Sequence, residues 1–205
     1  ATIEQQRTLL LERQRLMQDM HDGVGSALIS SLAMVEQGEM VPEDVAGMLH
    51  ECVDELRLVI HSLEPIAHDL TTLLASLRQR IGKRLEASGI HLSWHMDDIP
   101  PLPWLEAPQA LQILRIVQES LTNILKHARA TEVRISAGFD LQAGLVQHVQ
   151  VCVADNGVGF DASSVDYGNG LKNIHERARR LGGELLLDST PGKGSVVKLL
   201  LPSFS

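Results

Sequence analysis

With 205 residues, 44% of them hydrophobic, the chain can bury one large core or two small ones, and its composition is not that of a disordered protein. A formal net charge of −8 without a basic block argues against direct contact with nucleic acid, whose phosphates need clustered Lys and Arg. No apolar run reaches the roughly 18 residues of a membrane span, and nothing reads as a signal peptide. Aromatic residues are only 3%, so the core must be Leu, Ile, Val, Ala and Met. Cys52 and Cys152 stand far apart and read as reduced thiols of a cytoplasmic protein. The nine histidines are scattered, without partners at metal-ligand spacing. The chain opens with Ala rather than Met, which suggests a piece of something longer.

Residues 2–37 read as one long helix with a charged, leucine-rich lead-in. Met17, Met20, Val24, Ala27, Ser31 and Met34 form its apolar seam. His21 lies one residue off that seam and is followed by Asp22, Gly23 and Gly25. A carboxylate there can hold one imidazole nitrogen and leave the other as a nucleophile. Taken alone, such a pair is more often a solvated surface pair. Gly38 is the stop. Pro42, Glu43 and Asp44 start a second helix that runs to about residue 64, where Pro65 ends it. Its broad apolar face includes Val45, Met48, Leu49, Cys52, Leu56 and Ile60. A lone helical hairpin has one apolar face too many, which predicts a homodimer closing a four-helix bundle.

After Pro65 the pattern changes to that of an α/β domain with a mixed sheet and helices on one face. The predicted helices span 70–87, 107–127 and 171–181; the predicted strands span 90–94, 133–139, 146–154, 184–188 and 196–201. Residues 97–103 hold three prolines and read as a loop, and 140–144 as a hairpin turn.

Three small motifs lie in this domain. Glu119, Asn123 and Lys126 fall at i, i+4 and i+7 and so share a helix face, where an amide and a cation could meet Mg²⁺ and phosphate. Alone, they are more often a solvated polar stripe. Asp155-Asn156-Gly157-Val158-Gly159 follows a strand. Its carboxylate could accept from an exocyclic amine, although Asp-Asn-Gly is also an ordinary turn sequence. Gly168-Asn169-Gly170-Leu171 opens a helix, whose free N–H groups suit phosphate, and Gly192-Lys193-Gly194-Ser195 precedes the last strand.

The order of these motifs resembles the ATP-binding domain shared by sensor histidine kinases, gyrase, the Hsp90 chaperones and MutL, the GHKL ATPases. The glycine spacing fits neither a Walker P-loop nor a Rossmann fingerprint. The segment from Glu12 to Asp22 resembles the phosphoacceptor box of the nitrate-sensor-like two-component histidine kinases. Asp54-Glu55-Leu56-Arg57 resembles that subfamily's second dimerisation helix, and Asn123-Ile124-Leu125-Lys126-His127-Ala128 its asparagine box.

The resemblance implies a dimeric helical hairpin over residues 1–66, carrying phosphotransfer, and a GHKL (Bergerat-type) α/β sandwich over 67–205; the whole is α+β. It implies an ATP-dependent histidine kinase. His21 would be the phosphoacceptor, with Asp22 orienting its ring and Glu119 orienting a water or a metal ligand. Asn123 would ligate Mg²⁺, and Lys126 and His127 would meet phosphate oxygens. Asp155 would bind the adenine amine with help from Ser195. Gly157 and Gly159 would shape the floor of the pocket. Gly168, Gly170 and Leu171 would lie near the phosphates at the end of a lid starting at about Phe160. The implied partners are a second copy and the receiver domain of a response regulator, which in this subfamily usually carries a helix-turn-helix output domain. Neither nucleic acid nor membrane is expected to touch this fragment, which is read as cytoplasmic, or as the cytoplasmic part of a membrane-bound sensor.

Two departures stand out. Ser26 occupies the position, five after the phosphoacceptor, where the subfamily often has a water-positioning Gln, so phosphatase action through that residue is not implied. Gln18 stands where a basic residue is common. The alternative reading is a degenerate module that binds nucleotide and a partner without phosphorylating itself; it predicts loss of His21, Asn123 or Asp155, and all three are present. An anti-sigma serine kinase of the same ATPase class would lack the His-Asp hairpin.

Overall fold

A computed structural model describes residues 68–142, 145–161 and 169–202, together with the separate helical positions Ile29, Leu32, Val35, Leu49, Cys52, Val53 and Leu56. The chain divides into two compact units, Ala1–Pro65 and Ile66–Ser205. In the first, Ile29, Leu32, Val35, Leu49 and Val53 are exposed apolar side chains, whereas Cys52 is buried. Apart from those positions the expected hairpin lies outside the described residues, and His21 and Asp22 with it.

The second unit opens with helix α1 (Leu70–Ala87), strand β1 (His91–Met96) and helix α2 (Ala107–Asn123). A π-helical turn (Ile124–Ala128) leads into the strands β2 (Glu132–Gln142) and β3 (Leu145–Asp155). Helix α3 (Asn169–Arg180) and the strands β4 (Glu184–Ser189) and β5 (Ser195–Pro202) complete it. The sheet order is β1-β2-β3-β5-β4, with β1 and β2 parallel and the other pairs antiparallel, so the sheet is mixed as expected.

Strand alternation sorts the two faces of the sheet. Val133, Ile135 and Ala137 on β2, Val149, Val151 and Val153 on β3, and Leu199 and Leu201 on β5 are buried against the helices. Between them lie Arg134 and, on β4, Glu184, Leu186 and Asp188, all exposed on the opposite face. Helix α2 adds Leu111, Ile113, Leu114, Ile116 and Val117 to the same core. Each fully buried side chain of this size contributes roughly 1.5–3 kcal/mol. The Arg134–Glu132 ion pair, 3.7 Å apart with both side chains largely exposed, is worth little beside that. The core therefore carries the stability. Cys152 sits on the open face; burial pushes its thiol up in pKa, against the opposing pull of Lys198, so it stays protonated.

The entry to α1 is firmly tied. Asp69 caps the helix by accepting from the Thr71 amide at 2.8 Å, the Thr72 amide at 3.2 Å and the Thr72 hydroxyl at 2.6 Å. The preceding residue, His68, is left-handed at φ 62°. That conformation costs a non-glycine residue about 1–2 kcal/mol. It is held by the Leu102 amide, which donates to the His68 carbonyl at 2.8 Å, and by His68 Nδ1, 3.1 Å from the Leu105 carbonyl. Trp104 then ties the proline-bearing loop to the end of β5 by donating from Nε1 to the Pro202 carbonyl at 3.0 Å.

Apart from strand ends that shift by one or two residues, such as β1 running to Met96, element positions differ from the sequence expectation at three places. The strands β2 and β3 run through most of the expected turn, with a register shift at Asp140 and Leu141. Helix α3 starts at Asn169, ahead of Leu171. The helix expected to reach residue 127 ends as an α-helix at Asn123 and widens into the π-turn.

Burial raises the Asp69 pKa, but the hydrogen bonds from Thr72 and Thr71 outweigh it and hold the carboxyl below its ordinary value. The cap therefore stabilises the fold above the unfolded carboxylate's pKa of about 3.9, and that stability is lost as pH falls through the lower folded value. Asp69→Ala is expected to cost about 1 kcal/mol in urea unfolding at pH 7. The difference from wild type should shrink as the pH is lowered below 4.

Candidate functional site

Three adjacent strands carry two matching rows toward the helices. Asp155 on β3 pairs in register with Ser195 on β5, which pairs with Ser189 on β4. The next row on the same face is Val153, Val197 and Leu187. A polar edge thus borders an apolar floor. Asp155 is 9% exposed. Its Oδ1 accepts from the Gly157 amide at 2.7 Å, and no hydrogen bond to Oδ2 forms among the described residues. Asp155 borders the cavity, so its carboxylate can accept from a ligand that brings an N–H.

The loop after Asp155 is fastened to the π-turn. The Val158 amide donates to the Ala128 carbonyl at 2.8 Å. A side chain on Gly157 would collide with that same carbonyl, so only glycine permits the approach. Asn156 seals the arrangement: its Oδ1 accepts from the amides of Thr131 and Glu132, each at 2.9 Å, and its Nδ2 donates to the Thr131 hydroxyl at 2.9 Å. Arg129, left-handed at φ 50°, turns the chain from the π-turn toward β2.

On the opposite wall α2 meets α3. The Glu119 carboxylate lies against Gly170 so closely that any side chain at 170 would strike it. Further along, Arg177 Nη1 donates to Gln112 Oε1 at 2.8 Å and holds the two helices together.

These walls enclose a cavity of about 490 Å³. The structure brings Glu119, Asn123, His127 and Asp155 to its lining, with Gly159, Gly170, Leu171 and Ser195. Lys126 does not line it. A π-turn holds more residues per turn than an α-helix, so Lys126 leaves the face shared by Glu119 and Asn123 and lies exposed, and His127 reaches the cavity instead. Gly157 is buried beneath the loop rather than on the cavity surface. Gly168 lies outside the described residues, as does most of the stretch expected to form a lid.

Several lining residues escaped the motif reading. Val153, Leu187 and Val197 form the floor, while Ile124 and Val158 line other parts of the cavity. Strand alternation points each floor residue inward, but only the strand order shows that the three meet. Ser189 does not line the cavity, yet it stands directly behind Ser195.

The lining joins an apolar floor of Val153, Leu187 and Val197 to polar groups from Asp155, Ser195, Asn123 and Glu119. Residues 109–204 match the family described as histidine kinase-, DNA gyrase B- and HSP90-like ATPases. The chain is 31% identical to the sensor histidine kinase YxjM of Bacillus subtilis over 95% of its own length and 48% of that protein's. It is 27% identical to the sensor histidine kinase LiaS of the same organism, over 94% of this chain and 54% of LiaS. The chain thus spans about half the length of the curated relatives it matches. The histidine kinase domain of the blue-light activated kinase from Erythrobacter litoralis EL346 shares the fold, with a TM-score of 0.63 at 20% identity, over 97% of this chain and 94% of that one. Residues 109–204 thus form an ATPase domain of the histidine kinase-, gyrase B- and HSP90-like type, and over nearly its whole length the chain is related to sensor histidine kinases.

Proposed function

We propose that the chain is an ATP-dependent protein histidine kinase that phosphorylates itself on His21 and passes the phosphoryl group to an aspartate on the receiver domain of a response regulator. The observation that carries this reading is the cavity bounded by Asp155, Asn123 and the start of α3, in a chain that also holds His21-Asp22 on a sequence patterned as a dimerising helix. The degenerate-module alternative is weaker, because Asp155 and Asn123 are both present and converge on one cavity.

In this mechanism the adenine lies on Val153, Val197 and Leu187, and its amino group donates to Asp155. The triphosphate extends toward Asn123, His127 and the Gly170 end of α3, where the positive end of the helix dipole favours anions. Asn123 would ligate Mg²⁺ through its side-chain oxygen and Glu119 would orient a water or a metal ligand, so the donor set fits that ion. When bound, Mg²⁺ neutralises phosphate charge. Asp22 holds one ring nitrogen of His21, and the other attacks the γ-phosphorus in line. The N–P bond forms as the bond from phosphorus to the bridging oxygen breaks, and ADP leaves. The chain's contribution is positioning and electrostatics. We place it in the cytoplasm as a homodimer, with DNA bound by the regulator's output domain rather than by this acidic chain.

Autophosphorylation with γ-labelled ATP and Mg²⁺ tests the reading. Label is expected on the wild-type chain, lost in acid, kept in base and absent from His21→Ala. Nucleotide binding without such label would instead support the degenerate module.

Asp155→Asn removes the charge from the amine contact and places a donor beside the ligand's own donor. Loss of a hydrogen bond to a charged group, about 1.5–3 kcal/mol, predicts ATP binding weaker by about ten- to a hundredfold in calorimetry.

A further inference from the structure

Ser189 has three polar neighbours and one proton. The Phe160 amide donates to its Oγ at 2.9 Å. The Gly194 carbonyl lies 3.1 Å from that oxygen, and Ser195 Oγ lies 3.1 Å from it. A hydroxyl donates once and accepts twice. An amide N–H can only donate and a carbonyl can only accept. The Ser189 proton must therefore go to Gly194 if that contact is a hydrogen bond. The remaining lone pair then takes the proton of Ser195. Among arrangements in which each proton serves one acceptor, no other makes all three contacts hydrogen bonds; the competing arrangement shares the Ser189 proton between Gly194 and Ser195.

The consequence falls on the cavity. With its proton turned back to Ser189, Ser195 offers only lone pairs to a ligand. Its register partner Asp155 also offers only lone pairs, because Gly157 donates to Oδ1 and Oδ2 is left as an acceptor. The polar edge becomes two neighbouring acceptors on strands about 4.8 Å apart. Such an edge matches an exocyclic amino group and opposes a carbonyl oxygen at the same place.

We propose that Ser189, although outside the cavity, is a specificity-determining residue. It locks the Ser195 hydroxyl as an acceptor, so that the site takes 6-amino purine nucleotides and rejects 6-oxo purine nucleotides. The inference rests on the ATP-binding reading of this cavity and extends it to a residue that acts through Ser195. Without Ser189, the Ser195 hydroxyl is free to rotate and donate to the O6 of a 6-oxo purine.

The test is equilibrium binding of ATP and of inosine triphosphate, each with Mg²⁺, to the full chain. Wild type is expected to prefer ATP. In Ser189→Ala the preference should fall about tenfold, mainly through tighter inosine triphosphate binding. Ser195→Ala, which loses an acceptor without gaining a donor, should lower it less, and the double variant should match Ser195→Ala. Ser189→Thr keeps a hydroxyl and should keep the wild-type preference. Ser189→Cys, close in volume but a weak hydrogen-bonding group, should follow Ser189→Ala and serves as the second test if the alanine variant fails to fold. An unchanged preference in folded Ser189→Ala or Ser189→Cys, or equal weakening of both nucleotides, overturns the proposal while leaving the ATP site intact. Failure of the wild-type chain to bind ATP overturns the ATP-binding reading and the proposal together.

Discussion

A charged group held at the edge of an apolar sheet governs the architecture of this unit. Asp155 ends the central strand β3 and is nearly buried, flanked on its face by Val133 and Ser195. Burying a carboxylate is tolerable only where donors reach it. The Gly157 amide reaches one oxygen from two residues away, which forces the chain to turn at once. That turn carries Val158 into the cavity wall and presses the loop onto Ala128. One electrostatic requirement thus shapes the loop and the cavity together, and the second oxygen remains for a ligand.

Close backbone approach supplies the rigidity this requires. The π-turn presents the Ala128 carbonyl to the loop, and Asn156 bridges back to Thr131 and Glu132. Behind β5, Ser189 joins Phe160, Gly194 and Ser195 in one small network. These contacts surround the polar row on three sides while the floor stays apolar. A site built this way offers arranged acceptors beside an apolar floor, which suits an ATP-binding domain.

Much of this was legible in the sequence because the signals are local. The pattern from Leu70 to Ala87 marks a helix on its own, and the structure starts and ends it there. The alternation in β2, β3 and β5 identifies inward-facing residues without knowledge of their partners. Motif order was equally readable: an asparagine-bearing helix, an Asp-x-Gly-x-Gly after a strand, and a glycine pair opening a helix. That order pointed to the ATPase family to which residues 109–204 match.

The departures occur where the outcome depends on segments far apart in the chain. Lys126 belongs to the face of Glu119 and Asn123 only if the helix stays α-helical; docking of the 156–158 loop on Ala128 accompanies a π-turn that exposes Lys126 and brings His127 to the cavity. Nothing near Ser189 marks it, since its role comes from β4 pairing with β5 beside β3 and from an amide at Phe160. The amino-acid sequence by itself determined the elements, the inward and outward faces and the chemistry available, because periodicity and motif spacing act over one or two turns of chain. Only the tertiary structure decided which residues share the cavity and which groups meet at Ser189, because strand order, register and helix-end geometry are set by contacts between distant segments.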